Sequence, residues 1–580
     1  MGKHYITLVA ALFSASVFAQ TPFQKFIAEK ANKSLINKEM ALKGKKTNLR
    51  LTNIGLPKAD KLKSFRKAAS ADTIITSQPA GTLYKNWYQY SEGYYIFWGY
   101  PMSGINDGNT QDFVITDDGT VYLKNPISNY ATNSWIKGHK IEGDTIAFDF
   151  PQKIYTQEAE AGEEYADEDQ TINISAWRMV YTIGEDEEGE YQTYVPDSTT
   201  QTVKFVFRND SLFKTEPDIL LAMGESTTGE WAGYGDLTND ISLVKDQPAS
   251  PTTTNDDKYL IKSTDASGND VYQVAKVVVE NNDIYLGGIN PNEENSWAKG
   301  RLEGNKAIFD KQQYLGVDNV TKAHTYFIPV DKKTITMDFG NGFVFDYDSV
   351  YAVKEIVFDY DAANKTLKSE GGFDINKGTI TINQQAEYFT PSLALWEDKP
   401  GISEIPFIAD YNPFDDATGR GGIQFVLSRL TDEGQYLNPD KLYYNIYFDD
   451  EAFTFYPDEY PEFTEAVTDV PYNHTGKDIQ GFDDSRIVYF YTTGFEKIGV
   501  KEVYIDDNGK RYESETAWID SDGNEIDGIK NASFKNLKGV KSVTYTDISG
   551  RKVASPAKGL YIKSTTLDDG TVRTAKVFVK

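Results

Sequence analysis

The chain has 580 residues, a formal net charge of −28 and no cysteine. One hydrophobic core does not organise that length, so roughly three to five domains are expected. The missing thiols exclude disulfides, thiolate metal sites and a cysteine nucleophile, and an acidic surface disfavours nucleic acid and anionic membranes as partners.

Tyr, Phe and Gly are abundant (38, 32 and 45), and helix-period apolar stretches are few. This composition points to an all-β, multi-domain chain of short strands joined by turns. At the N-terminus Lys3 and His4 precede ITLVAALFSASVFA, an apolar run closed by small residues. Val17 and Ala19 suit the −3 and −1 positions of a signal peptidase site, so residues 1–19 read as a signal peptide cut after Ala19. The run falls short of the ~20 residues a membrane-spanning helix needs, and no later stretch reaches it. Residues 20–71 form a basic leader, partly helical or disordered, with 13 Lys/Arg against 3 Asp/Glu. The remainder of the exported chain is therefore strongly acidic, as a solvated surface would be.

A first β domain is expected over 72–245. It opens with YKNWYQYSEGYYIFWGYP (84–101), nine aromatics in eighteen residues. In a strand, neighbouring side chains point to opposite faces, so the adjacent pairs Tyr94-Tyr95 and Phe97-Trp98 each send one ring away from a one-sided core. Tyr95 and Trp98 are the candidate stacking residues for a sugar; the alternative is a pair of ordinary core strands. FVITDDGTVYLKN follows as a hairpin turning at Asp-Gly. NSWIKGHKIEGDTIAF (133–148) then returns as NSWAKGRLEGNKAIF (295–309). Trp135 matches Trp297, Gly138 matches Gly300, Gly143 matches Gly304 and Phe148 matches Phe309. Ordered recurrence with gaps only at turns marks a duplicated domain, each copy an antiparallel barrel or sandwich. The paired tryptophans are expected to close one end of each core. The acidic runs at 158–169 and 185–190 lack the spacing of a calcium loop.

A Pro/Ser/Thr-rich linker (246–257) precedes the second copy, placed at 258–385. Over 386–520, LYYNIYFDD, SRIVYFYTT and VKEVYIDDNGKRYESETAWI alternate with turns at the interval expected of a sandwich of immunoglobulin or fibronectin type, and the missing cysteine pair favours the latter. A linker (521–539) leads to the tail, 540–580, which predicts four short strands: SVTYTDI, RKVA, GLYIKS and RTAKVFVK.

Tyr545, Asp547, Gly550-Arg551, Val553, Gly559-Leu560-Tyr561-Ile562 and the closing Lys576-Val577-Phe578-Val579-Lys580 make this tail resemble the C-terminal sorting domain of the type IX secretion system of Gram-negative bacteria. The resemblance implies transit across the outer membrane with that machinery as partner, removal of the tail, and release or attachment at the cell surface. The repeated block also resembles a unit of uncharacterised exported proteins, to which no activity attaches.

Chemistry is sparse. The histidines beyond the signal peptide are His139, His324 and His474, and Arg301 stands where the first copy has His139. No HExxH, nucleophile elbow or phosphate-cradling loop occurs, so neither metal nor cofactor is expected. Three function classes fit: a non-catalytic surface module binding glycan or a host protein, a carbohydrate-active enzyme using paired carboxylates, and a structural spacer. The first is the expectation carried forward.

Overall fold

A computed structural model describes residues 73–97, 100–159, 170–186, 189–253, 257–338, 344–380, 382–415, 419–431, 433–482, 484–521, 523, 526, 540–547, 552–553, 559–567 and 572–579. The expected signal peptide and leader, Trp98, Gly550, Arg551 and Lys580 lie outside them, as does most of the first acidic run. Among the described residues the secondary structure is almost wholly β, and no helix is long and apolar enough to cross a membrane.

Two compact units divide at 396/397. In the first, twelve strands occur twice. The first set is β1 (Thr82–Phe97), β2 (Tyr100–Ile115), β3 (Thr120–Lys124), β4 (Trp135–Lys140), β5 (Thr145–Asp149), β6 (Gln152–Ala159), β7 (Gln170–Asp186), β8 (Gly189–Pro196), β9 (Thr202–Arg208), β10 (Ser211–Lys214), β11 (Leu220–Glu225) and β12 (Trp231–Ser242). The second is β13 (Lys258–Thr264), β14 (Asp270–Glu280), β15 (Asp283–Gly287), β16 (Trp297–Glu303), β17 (Lys306–Asp310), β18 (Gln313–Asp318), β19 (Ala323–Asp338), β20 (Val344–Ala352), β21 (Glu355–Asp361), β22 (Thr366–Lys368), β23 (Gly372–Lys377) and β24 (Gln384–Leu395).

Pairings repeat strand for strand. In the first set β1-β2-β3-β4-β5-β9-β10-β12 closes back on β1, an eight-stranded antiparallel barrel. β11 continues from β12 into an annex with β7, which is flanked by β6 and β8. The second set closes as β13-β14-β15-β16-β17-β21-β22-β24, with the annex β23-β19 flanked by β18 and β20. Closure gives every ring strand a partner on both sides, although β9 and β21 overlap one of their neighbours over only part of their length. The boundary expected at 385/386 is corrected: it falls inside β24, which closes the second barrel and runs to Leu395.

Each barrel has its own filled interior. Val121, Leu123, Ile136, Phe148, Phe205 and Ile241 meet in the first; Ile284, Leu286, Ala298, Phe309, Phe358 and Leu393 take the same places in the second. Burial of each large apolar side chain stabilises by roughly 1.5–3 kcal/mol, so no cysteine bridge is needed. Gly138 faces Phe148, and a Cβ on it would stand 2.7 Å from that ring; a Cβ on Gly300 would stand 3.0 Å from Phe309. The repeated glycines thus make room for the repeated phenylalanines. Gly143 and Gly304 turn the two hairpins at φ +57° and +63°, a conformation that costs other residues about 1 kcal/mol or more.

The tryptophans correct the expectation of a core plug. Alternation along β4 and β16 sends Ile136, Gly138, Ala298 and Gly300 inward and the indoles outward, and neither indole belongs to a core cluster. Trp135 is covered where its strand bridges to Ile75, with the Lys124 ammonium 6.0 Å from the ring. Trp297 lies across Gly287, whose Cβ would stand 2.6 Å from the ring.

A joint connects the barrels. Asn109 pairs with Ala323, and the buried Asp107 carboxylate accepts hydrogen bonds from the amides of Thr379 (2.9 Å) and Ile380 (2.7 Å) and from the Tyr88 hydroxyl. His324, also buried, bonds through Nδ1 to the Tyr314 hydroxyl at 2.9 Å and lies 5.3 Å from the Tyr88 ring.

The second unit begins with a two-sheet sandwich: β25 (Phe407–Asp415), β26 (Arg420–Val426), β31 (Ser485–Phe490) and β30 (Ile479–Phe482) oppose β28 (Glu451–Ala452), β27 (Leu442–Phe448), β32 (Lys497–Ile505) and β33 (Arg511–Glu513). β29 (Val470–Pro471) and β34 (Ala517–Asp520) add to the second sheet, and one core, including Phe425, Tyr444, Val488 and Val500, lies between the two. The expected hairpin turns at Gly509, φ +76°. The tail forms a four-stranded sheet of β36 (Lys552–Val553), β35 (Val540–Asp547), β37 (Gly559–Leu567) and β38 (Val572–Val579). Gly559 and Tyr561 lie on β37.

Candidate functional site

The aromatic stretch of β1 divides among several environments. Trp87 is in the first barrel's core, with Tyr84 packed against it. Tyr88 enters the joint. Tyr95 is 3 % exposed, its ring folded over Gly104 on β2. Tyr95 is therefore not an open stacking face, which corrects that expectation. Tyr94 points the other way and leads to a cluster that sequence spacing does not reveal.

The cluster lies on the annex of the first barrel. Along β7, Ile174 and Ala176 face the barrel core while Trp177 and Met179 face outward. On that outer face Trp177, Tyr194 and Trp231 come together, with Tyr94 and Leu237 packed against them. Tyr194 meets Trp231 edge-on at 5.4 Å, Tyr181 at 5.9 Å and Tyr94 at 5.5 Å. Gly224 permits the approach: its Cβ would stand 2.8 Å from the Trp177 ring. Trp177, Tyr194 and Trp231 are themselves buried, so the open ring of this group is that of Tyr181, 48 % exposed beside the exposed Ile183.

Two polar atoms inside the cluster are unmatched. Trp231 Nε1 donates to the Tyr234 carbonyl at 3.1 Å. Trp177 Nε1, a donor, and Glu230 Oε1, an acceptor, are buried and have no hydrogen-bond partner among the described residues. Gly224 touches both residues, since its Cβ would lie 3.1 Å from the Glu230 carbonyl. Burial, reinforced by the Glu225 charge, pushes the Glu230 carboxyl up to about 7. Unmatched buried polar groups cost about 1–3 kcal/mol each.

The fold does not require these residues. Matching the ladders of the two barrels puts Ile328, Val350 and Gln384 where the first has Trp177, Tyr194 and Trp231. The second barrel closes without the aromatic set. Among the described residues no group of three or more His, Asp or Glu side chains is arranged to hold a metal ion.

Trp135, Gly138, Trp297 and Gly300 are packing residues of the duplication and are not brought to this site. The signal that could have indicated the site is the pair of tryptophans, Trp177 and Trp231, present in the first copy alone; their meeting across 54 residues is set by the β7–β11–β12 pairing. No family model, curated protein or solved structure matches the chain.

Proposed function

We propose that the chain is an exported, non-catalytic surface or released protein that binds carbohydrate at the Tyr181 rim of the aromatic cluster on its first barrel. Export by a type IX route rests on the signal peptide and on the sorting-domain resemblance of residues 540–580. The binding reading is supported above all by one observation: the indole N–H of Trp177 and the carboxyl oxygen of Glu230 are buried without hydrogen-bond partners among the described residues, at an aromatic cluster whose two tryptophans have no counterpart in the second barrel. Sugars present apolar C–H faces to aromatic rings and hydroxyls to donor–acceptor pairs, so both chemistries meet in one ligand class.

The test is a glycan array probed with the full chain, followed by calorimetric titration of any glycan retained. Tyr181→Ala, at an exposed rim position, and Trp177→Phe, which keeps an aromatic ring but removes the donor, are each expected to weaken binding about tenfold with the fold preserved. An array with no retained glycan, or affinities unchanged in both variants, overturns the proposal.

A further inference from the structure

The two barrels differ at a second place, the gap where the annex leaves the ring. In the first barrel Arg178 fills it. This buried arginine pairs in register with Leu221, and its guanidinium meets Asp197 at 2.8 Å, Glu216 at 2.9 Å and the Thr202 carbonyl at 3.1 Å. It therefore covers the backbone of β9 where, among the described residues, no strand lies alongside.

In the second barrel the equivalent position, paired with Phe373, is Pro329, which offers no donor. The backbone position matching Thr202 is Glu355, three residues before the shared core phenylalanine in each copy (Phe205 and Phe358). β21 pairs with β17 across residues 355–359, but with β22 only at 359–361. The edge of residues 355–358 faces an open groove of 930 Å³ lined by five carboxylates and two lysines. Lys306 is already paired with Asp359, and the Glu355 carboxylate with Arg301 at 3.5 Å and Lys354 at 3.4 Å, which leaves Asp331, Asp361 and Glu370 against Lys368. Val357 stands half-open on this face at 38 % exposure.

We infer that this groove is a docking slot for an extended peptide segment of a protein partner, with an arginine of that segment taking the place Arg178 occupies in the first barrel. The guanidinium sits between Asp331 and Glu370 beside the Glu355 backbone, and the segment lies along the partly unpaired edge of β21. Three features support this occupant. The same slot in the same fold, 150 residues earlier, holds an arginine between two carboxylates, although Val353 stands where the first barrel has Asp197. The groove has an excess of negative charge, and a planar guanidinium matches carboxylates and carbonyls better than an ammonium does. Among the described residues no strand pairs this edge at 355–358, where the Val357 carbonyl accepts from the Ser369 hydroxyl at 2.8 Å, and a strand edge is the standard receptor for an extended chain.

The test uses the full chain and two fluorescein-labelled peptides that alternate valine and threonine around one central residue, arginine in the first and citrulline in the second. Fluorescence anisotropy is expected to detect the arginine peptide and to find the neutral twin at least tenfold weaker. Pro329→Arg, which reinstates the first barrel's plug, is expected to abolish binding. Because Pro329→Arg could disturb β19, Glu370→Lys at an exposed rim position is the second variant, expected to weaken binding at least fivefold with unchanged melting. Equal binding of the two peptides, retention of binding in Glu370→Lys, or no binding of the arginine peptide at millimolar concentration overturns the inference.

Discussion

Asp236 of the first barrel and Tyr388 of the second occupy one position of the shared ladder, opposite Leu221 and Phe373, and each ties down the segment that leaves its barrel's third strand. Asp236 accepts from the Ser128 amide (2.9 Å) and hydroxyl (2.6 Å); the Tyr388 hydroxyl donates to the Ile289 carbonyl at 2.8 Å. The carboxylate continues into a buried network through Asn239, Gln89 and Gln111, whereas the tyrosine packs with Phe373 in an apolar core. The same mechanical task is done by ionisable chemistry in one copy and by neutral chemistry in the other.

Only the first barrel should therefore show this acid's pH dependence. Burial pushes Asp236 up to about 7, above the ~3.9 of an unfolded aspartate. The folded state holds the proton more tightly, so the stabilisation is complete below pH ~4 and is lost as pH rises to about 7. Scanning calorimetry should find the first barrel's transition falling between pH 4.5 and 7.5, by the equivalent of roughly 2–4 kcal/mol. Glu230, also raised to about 7 by burial, adds a smaller share over the same window, so Asp236→Asn should reduce the slope and leave that share; an unchanged slope in this variant contradicts the assignment.

The repeated glycines should not be equally replaceable. An alanine Cβ at Gly138 would stand 2.6 Å from the Ala147 carbonyl and press on Phe148, while at Gly300 the nearest contacts are 2.9–3.0 Å. Gly138→Ala is expected to cost about 2–3 kcal/mol and Gly300→Ala about 1–2 kcal/mol. Denaturant titration of the two variants checks the order, and equal costs would mean that the neighbouring strands yield freely.

A pair of glutamines should guard the hairpins from below. Gln152 Oε1 accepts from the Lys137 amide at 2.7 Å, and its amide group donates to the Lys137 and Asp149 carbonyls. Gln313 repeats this on the Lys299 amide at 2.7 Å and the Asp310 carbonyl. Replacing either by leucine should accelerate hydrogen exchange at the amide it covers, Lys137 or Lys299. The loss of stability should be larger for the more buried Gln152, about 1–3 kcal/mol.

Acid should loosen the joint between the barrels. Burial lowers His324 to about 4, below the ~6.5 of an unfolded histidine. The packed joint resists protonation, so its stability is intact above pH ~6.5 and declines as pH falls toward about 4. This trend opposes that of Asp236 and acts at a different place. Limited proteolysis around residues 378–383 should quicken at pH 4.5, and His324→Gln should suppress the acceleration. Cleavage that is indifferent to pH in the unmutated chain would remove the argument.

Strand character and duplication were legible in the chain because both are local. Hairpin glycines at 119, 143, 304 and 509 must adopt positive φ wherever they sit, and the Gly138–Phe148 and Gly300–Phe309 pairs are separated by short hairpins. The direction of Trp135 and Trp297 was not legible. Strand alternation leaves two faces open, and only closure of the ring decides which one is inside. The end of the second barrel was likewise misplaced, because β24 pairs with β13 more than a hundred residues away.

By itself the amino-acid order determined that this is an all-β chain with a repeated unit, since turn chemistry, two-residue periodicity and recurrence act within a few residues of one another. Tertiary structure alone decided that the repeat is a closed barrel with an annex, that Tyr95 is buried, that Trp177 and Glu230 are left with unmatched polar atoms, and that Arg178 fills a slot which Pro329 leaves open. Each of these depends on which distant strands share hydrogen bonds. That pairing is set by the global burial of apolar surface, which no short window of sequence contains.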